Sequence, residues 1–148
     1  MTTWGPDRDL ALRQAAMAWL TVRTSDGLES IRSEDLRDFI FEGGRVPLID
    51  AQRGIRKPAF LDAALSIRTV YRPEGATRPY EDSQGADGFI RYKWRGDDGT
   101  HAENRALRVA MHRKLPLIWF FGVGPGAYQP IFPVYFVADP QDVRVERS

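Results

Sequence analysis

The chain has 148 residues, 43% hydrophobic and 28% charged, which suits one folded domain, or a domain with a small appendage, and excludes a disordered chain. It has no cysteine and only two histidines, His101 and His112, which excludes disulfides, thiol nucleophiles, cysteine-zinc sites and a histidine-built metal site. With 21 basic and 20 acidic residues the net charge is +1, so any binding of nucleic acid has to come from charge concentrated locally.

Asp7 is placed to cap a helix running to about Arg23, with Leu10, Ala11, Met17, Ala18 and Leu20 as its apolar face. Thr24 to Gly27 breaks it, and Ser33 caps a short second helix through Leu36 and Phe39. The segment FEGGRVPLI, residues 41–49, reads as a turn between two short strands. Two helices and a small hairpin outline a winged-helix-like N-terminal segment over residues 1–50.

From Ile55 the pattern changes, and residues 51–148 read as a second unit. LSIRTVY (Leu65 to Tyr71) alternates as a strand does, and so does GFIRYKWR (Gly88 to Arg95). In the latter, Phe89, Arg91, Lys93 and Arg95 share one face, and Ile90, Tyr92 and Trp94 the other. A polar loop, Pro73 to Asp87, lies between the two. A helix is expected from Ala102 to Arg113 with Leu107, Ala110 and Met111 as its stripe, and LPLIWFFGVG, QPIFPVYFVAD and VRVER complete the strands. Gly122 to Pro130 lacks the lysine and serine/threonine ending of a phosphate-binding loop and reads as a turn between strands. Many strands with one inserted helix argue for an α+β domain with a curved, barrel-like sheet.

The most informative segment is RPYEDSQGADGFIRYKWRG, Arg78 to Gly96. Aromatic rings offer flat faces to a base, carboxylates accept hydrogen bonds from exocyclic amines, and arginine and lysine hold phosphates. All three on one hairpin would suit capture of an extruded nucleotide. Composition is met equally by an ordinary hairpin with buried tyrosines and solvated charges.

In order, the chain shows GIRKP (Gly54 to Pro58), ALSI (Ala64 to Ile67), YED (Tyr80 to Asp82), GFIRY (Gly88 to Tyr92) and NRAL (Asn104 to Leu107). This series resembles the SRA (YDG) domain. The longer order, with RVPLI ahead of it and LPLIWFFGVGPGAYQPIFPVYFV behind it, is similar to the N-terminal portion of bacterial HNH restriction endonucleases. The resemblance implies an SRA/PUA-like barrel that flips a modified cytosine out of duplex DNA. It makes Tyr80 and Tyr92 the stacking pair and puts Ser83 where the family's edge-reading aspartate stands. That leaves the base edge to Asp82 or Asp87, or the pocket to another modified base. Arg56, Lys57, Arg91, Lys93 and Trp94 become the expected contacts to the DNA backbone.

The function so expected is recognition of a modified base in double-stranded DNA by the specificity module of an HNH-type nuclease, dimeric in the full-length enzyme. No cofactor, no metal and no catalytic residue are expected in this chain. Two alternatives stand beside it. One is an RNA-binding PUA-like module. The other is a metal-dependent nuclease using Asp82 and Asp87 near Lys93, although such a site wants an acid at position 91, which is arginine. No apolar run approaches the ~20 residues of a membrane span, and the lack of a signal peptide and of cysteine leads to the expectation of a cytoplasmic protein.

Overall fold

The computed structural model describes residues 4–50, 53–71, 90–93, 102–136 and 142–147, with backbone alone at 90–93, 102–104 and 142–147. The chain is an α+β protein. Helix α1 spans Pro6–Arg23 and helix α2 Ala102–His112; the strands are β1 (Ile31–Arg32), β2 (Ile40–Phe41), β3 (Gly44–Arg45), β4 (Ile55–Arg56), β5 (Ser66–Thr69), β6 (Ile90–Lys93), β7 (Leu117–Gly124), β8 (Ala127–Phe136) and β9 (Asp142–Arg147). Seven strands form one sheet in the order β4-β5-β7-β8-β9-β6, with β1 also paired to β8. The pairing of β5 with β7 is parallel and the others are antiparallel, so the sheet is mixed. Among the described residues its path has two ends, β4 and β6, and does not close into a barrel.

Strand β7 is the middle of the molecule. Its residues alternate between two cores, as a period of two requires when both faces of a sheet are covered. Leu117 and Trp119 join Ile67, Val134 and Phe136 beneath Ala106, Leu107 and Ala110 of α2. Ile118 and Phe120 join Leu65 and Tyr128 on the opposite side, beneath Leu12, Ala16 and Leu20 of α1. The α2 stripe is therefore where its apolar spacing puts it, with Met111 packed at the margin. The Trp119 indole N–H donates to the Thr69 hydroxyl at 2.9 Å, which satisfies its one donor inside the core.

Strand β8 carries Pro130 and Pro133, which a central strand does not ordinarily accept. On the side away from β7, β8 pairs with β1 at Ala127 and Tyr128 and with β9 from Val134 to Phe136. Both prolines fall between these two partners, where a missing N–H breaks no ladder on that side.

Three features of the N-terminal segment differ from the sequence-based expectation. Helix α1 begins after Gly5, without a side-chain cap and with proline in its first turn, so Asp7 lies inside the helix. The segment after Ser33 forms a single 3-10 turn, Asp35–Arg37, because the chain bends back at once: Leu48 N–H donates to the Leu36 carbonyl at 3.0 Å. The buried face of α1 is Asp9, Leu12, Arg13, Ala16 and Leu20, whereas Leu10, Ala11 and Ala18 are exposed. The stripe is helical in spacing, but two of its members are charged, so a search for apolar residues misses its phase. The β2–β3 hairpin turns at Glu42 and Gly43, both at positive φ (52° and 83°), as a two-residue type I′ turn requires.

The two charged residues in that stripe form a buried ion pair. Arg13 Nε donates to Asp9 Oδ1, Arg13 Nη1 to the Pro116 carbonyl at 2.8 Å, and Nη2 to the Ala63 carbonyl at 3.5 Å. Burial pulls the Arg13 guanidinium below its ordinary pKa, opposed by the hydrogen bond and charge of Asp9. Nearer the surface, Trp4 stacks on Phe60 at 4.4 Å between ring centres, and the Arg8 guanidinium lies 4.1 Å over the Trp4 ring. Trp19 packs edge-on against Phe39 at 5.8 Å. No helix among the described residues is long and apolar enough to cross a membrane.

Two stability predictions follow from this packing. Asp9→Ala leaves a buried, unpaired guanidinium and is expected to cost about 3–5 kcal/mol in urea unfolding, with Asp9→Leu/Arg13→Met recovering most of the loss; a cost below about 1 kcal/mol for Asp9→Ala would show that the pair is not a structural tie. Gly122 has no room for a side chain: a Cβ there would meet Tyr71 N at 2.3 Å and Thr69 O at 2.8 Å, both backbone atoms of the adjoining chain. Gly122→Ala should therefore lower stability by about 3 kcal/mol or more, and an unchanged unfolding midpoint would contradict the close approach.

Candidate nucleic-acid interface

The antiparallel pairing of β4 with β5 sets Arg56 opposite Ser66, and Arg68 N–H donates to the Gly54 carbonyl at 2.7 Å. Alternation then puts Arg56, Ser66 and Arg68 on one face of the sheet. That face is the one the N-terminal segment covers: the Ser66 hydroxyl donates to the Leu48 carbonyl at 2.6 Å and is fully engaged there. One residue pair further along, the cover ends and a cavity of about 400 Å³ opens. The sheet supplies Arg56, Arg68 and Tyr128 to its wall. The N-terminal segment supplies Ser33 and Arg37 from the 3-10 region, and Pro47, Ile49 and Asp50 from the stretch after β3.

The arginines differ in how they are held. Arg56 Nε donates to the Pro47 carbonyl at 3.0 Å, which fixes the plane of its guanidinium. Arg68 is half-buried, and its Nε–H is buried with no hydrogen-bond partner among the described residues. Arg37 is exposed on its turn and has no carboxylate partner among the described residues. Among the described residues the only carboxylate in the wall is Asp50, whose Oδ1 accepts the Arg53 N–H at 2.9 Å. Cationic groups thus outnumber anionic ones in a concave, partly apolar site of the volume that small ligands occupy.

Of the residues expected at the interface, Arg56 lines this cavity. Lys57 turns back on its own chain, its Nζ donating to the Leu61 carbonyl at 3.0 Å and the Pro58 carbonyl at 3.4 Å. Arg91, Tyr92 and Lys93 lie in β6, the last strand of the sheet, where their register partners in β9 are Arg144, Val143 and Asp142. The register assigns Arg91, Lys93, Arg144 and Asp142 to one face of that pair and Tyr92 and Val143 to the other. Tyr80, Asp82, Ser83, Asp87 and Trp94 lie outside the described residues. Arg37, Asp50, Arg68 and Tyr128 were not singled out as site residues by sequence reasoning. The one available signal was the alternation of Arg56 and Arg68 on two candidate strands, and it becomes informative only when those strands are paired.

Among the described residues no group of three or more His, Asp or Glu side chains is placed to hold a metal ion. Comparison of the chain with protein-family models, with curated proteins and with solved structures finds no match in any of the three.

The geometry of Lys57 yields a direct expectation. Lys57→Met removes a charged donor from two backbone carbonyls and should cost about 1 kcal/mol of stability. Duplex DNA affinity measured on the folded variant should change by less than twofold; a larger loss would return Lys57 to the binding surface.

Proposed function

We propose that this chain is a DNA-binding domain that reads a modified base in duplex DNA, with an SRA/PUA-like arrangement, and that it serves as the specificity module of an HNH-type modification-dependent restriction endonuclease. The observation that carries this reading is the register of β6 on β9, which sets Arg91 directly opposite Arg144 at the end of the sheet. Like charges opposite each other destabilise a strand pair unless an anion joins them. A phosphate backbone supplies that anion; Lys93 falls on the same face, with Asp142 as its register partner.

Tyr92 occupies the opposite face of the same strand, where the resemblance assigns it, with Tyr80, to a flipped base. Three basic residues and one aspartate on one side and an aromatic residue on the other would give one strand pair both tasks of a DNA reader, backbone attachment and base stacking. The net charge of only +1 makes this local concentration matter, since no long-range field of the whole chain would draw DNA in.

The test is binding of fluorescently labelled duplexes with and without cytosine or adenine modifications, over a series of salt concentrations. Arg91→Ala and Arg144→Ala should weaken modified and plain DNA alike, each flattening the salt slope by about one unit. Tyr92→Ala should cost about tenfold to a hundredfold on modified duplex and leave plain duplex nearly unchanged. Equal binding of all duplexes by wild type, or binding of RNA in preference to them, would sink the proposal.

A further inference from the structure

We infer that the cavity between the N-terminal segment and the sheet is a nucleotide site that grips a terminal phosphate, with Arg68, Arg37 and Arg56 as the phosphoryl contacts. The site lies on β4, β5 and the 3-10 turn, apart from the β6–β9 pair, and its chemistry stands independently of DNA reading.

Charge selects the ligand class. Among the described residues three arginines and one carboxylate, Asp50, line the cavity, which gives the wall a net charge of about +2. A phosphate monoester carries about −1.5 to −2 at neutral pH, close to that value, whereas an internal phosphodiester carries only one negative charge. Guanidinium forks match phosphate oxygens in a planar, two-bond geometry that lysine cannot reproduce. Arg68 lines the same wall half-buried, which limits the side-chain freedom it loses on holding an anion. Arg56, pinned through its Nε to the Pro47 carbonyl, is already oriented before ligand arrives.

Size and lining extend the ligand beyond phosphate alone. About 400 Å³ exceeds the need of a single phosphoryl group and falls in the range of small-ligand pockets. Pro47, Ile49 and Tyr128 supply apolar wall for a sugar or base, and the Asp50 carboxylate supplies an acceptor for a hydroxyl or an amine while repelling a second phosphate. The fit is therefore to a nucleoside monophosphate or to the phosphorylated end of a strand.

Calorimetric titration of the full chain with deoxycytidine 5′-monophosphate, deoxycytidine and inorganic phosphate tests this. The monophosphate should bind, the nucleoside at equal concentration should not, and inorganic phosphate should compete. Arg68→Gln and Arg37→Gln should each weaken the monophosphate at least tenfold; Arg37, exposed on its turn, can be exchanged without disturbing the core. Competition by a 5′-phosphorylated but not a 5′-hydroxyl oligonucleotide would assign the phosphate to a strand end, and its absence would assign it to a free nucleotide. Equal binding of nucleoside and monophosphate, no binding of the monophosphate, or full affinity in a normally folded Arg37→Gln would overturn the inference. Mononucleotide binding without preference for any modified duplex would keep this site and remove the DNA-reading proposal, and the reverse pattern would remove this site alone.

Discussion

The buried guanidinium of Arg13 is the contact on which the arrangement of the molecule depends. One side chain reaches Asp9 on its own helix, the Pro116 carbonyl just before β7 and the Ala63 carbonyl just before β5. Those two carbonyls precede the parallel strand pair at the centre of the sheet. A buried charge is costly unless it is paired and hydrogen-bonded, so the helix is favoured in the position that gives Arg13 these three acceptors. The N-terminal segment is thereby docked over one face of β7, and everything that follows it along the chain is laid down relative to that position.

Docking the segment there creates the cavity as a consequence. The 3-10 turn and the stretch from Pro47 to Asp50 form a cover over the sheet, and the cover ends beside β4 and β5. Where it is complete, Ser66 is satisfied by the Leu48 carbonyl. Two residues on, Arg68 is half-buried and lines the cavity, its Nε–H without an acceptor among the described residues. The same face of the same strand thus passes from a closed core to an open, cationic site within a few ångströms. The β6–β9 pair lies at the other end of the sheet from β4 and β5.

Local patterns carried much of the architecture into the sequence. The α2 stripe of Leu107 and Ala110, the alternation in β5, the apolar run of β7 and the Glu42–Gly43 turn are all decided by residues near one another, so local pattern and turn chemistry suffice to find them. Helix α1 was legible as a helix but not in its phase, because Asp9 and Arg13 occupy core positions that an apolar pattern assigns to solvent. The short helix expected after Ser33 was reduced to one turn by hydrogen bonds to Leu48, a partner twelve residues away that no local signal reveals.

The candidate sites divide along the same line. Sequence alone determined that an aromatic, basic strand carries Arg91, Tyr92 and Lys93, that alternation separates the cations from the ring, and that charge in this chain has to act locally. Tertiary structure alone decided that Arg91 and Arg144 are register partners and that Arg37, Arg56 and Arg68, from three elements, line one cavity. The physical reason is that periodicity fixes which way a residue faces on its own element, whereas strand order and helix docking, set by the burial of β7 between two cores and by the Arg13 contacts, fix what it faces.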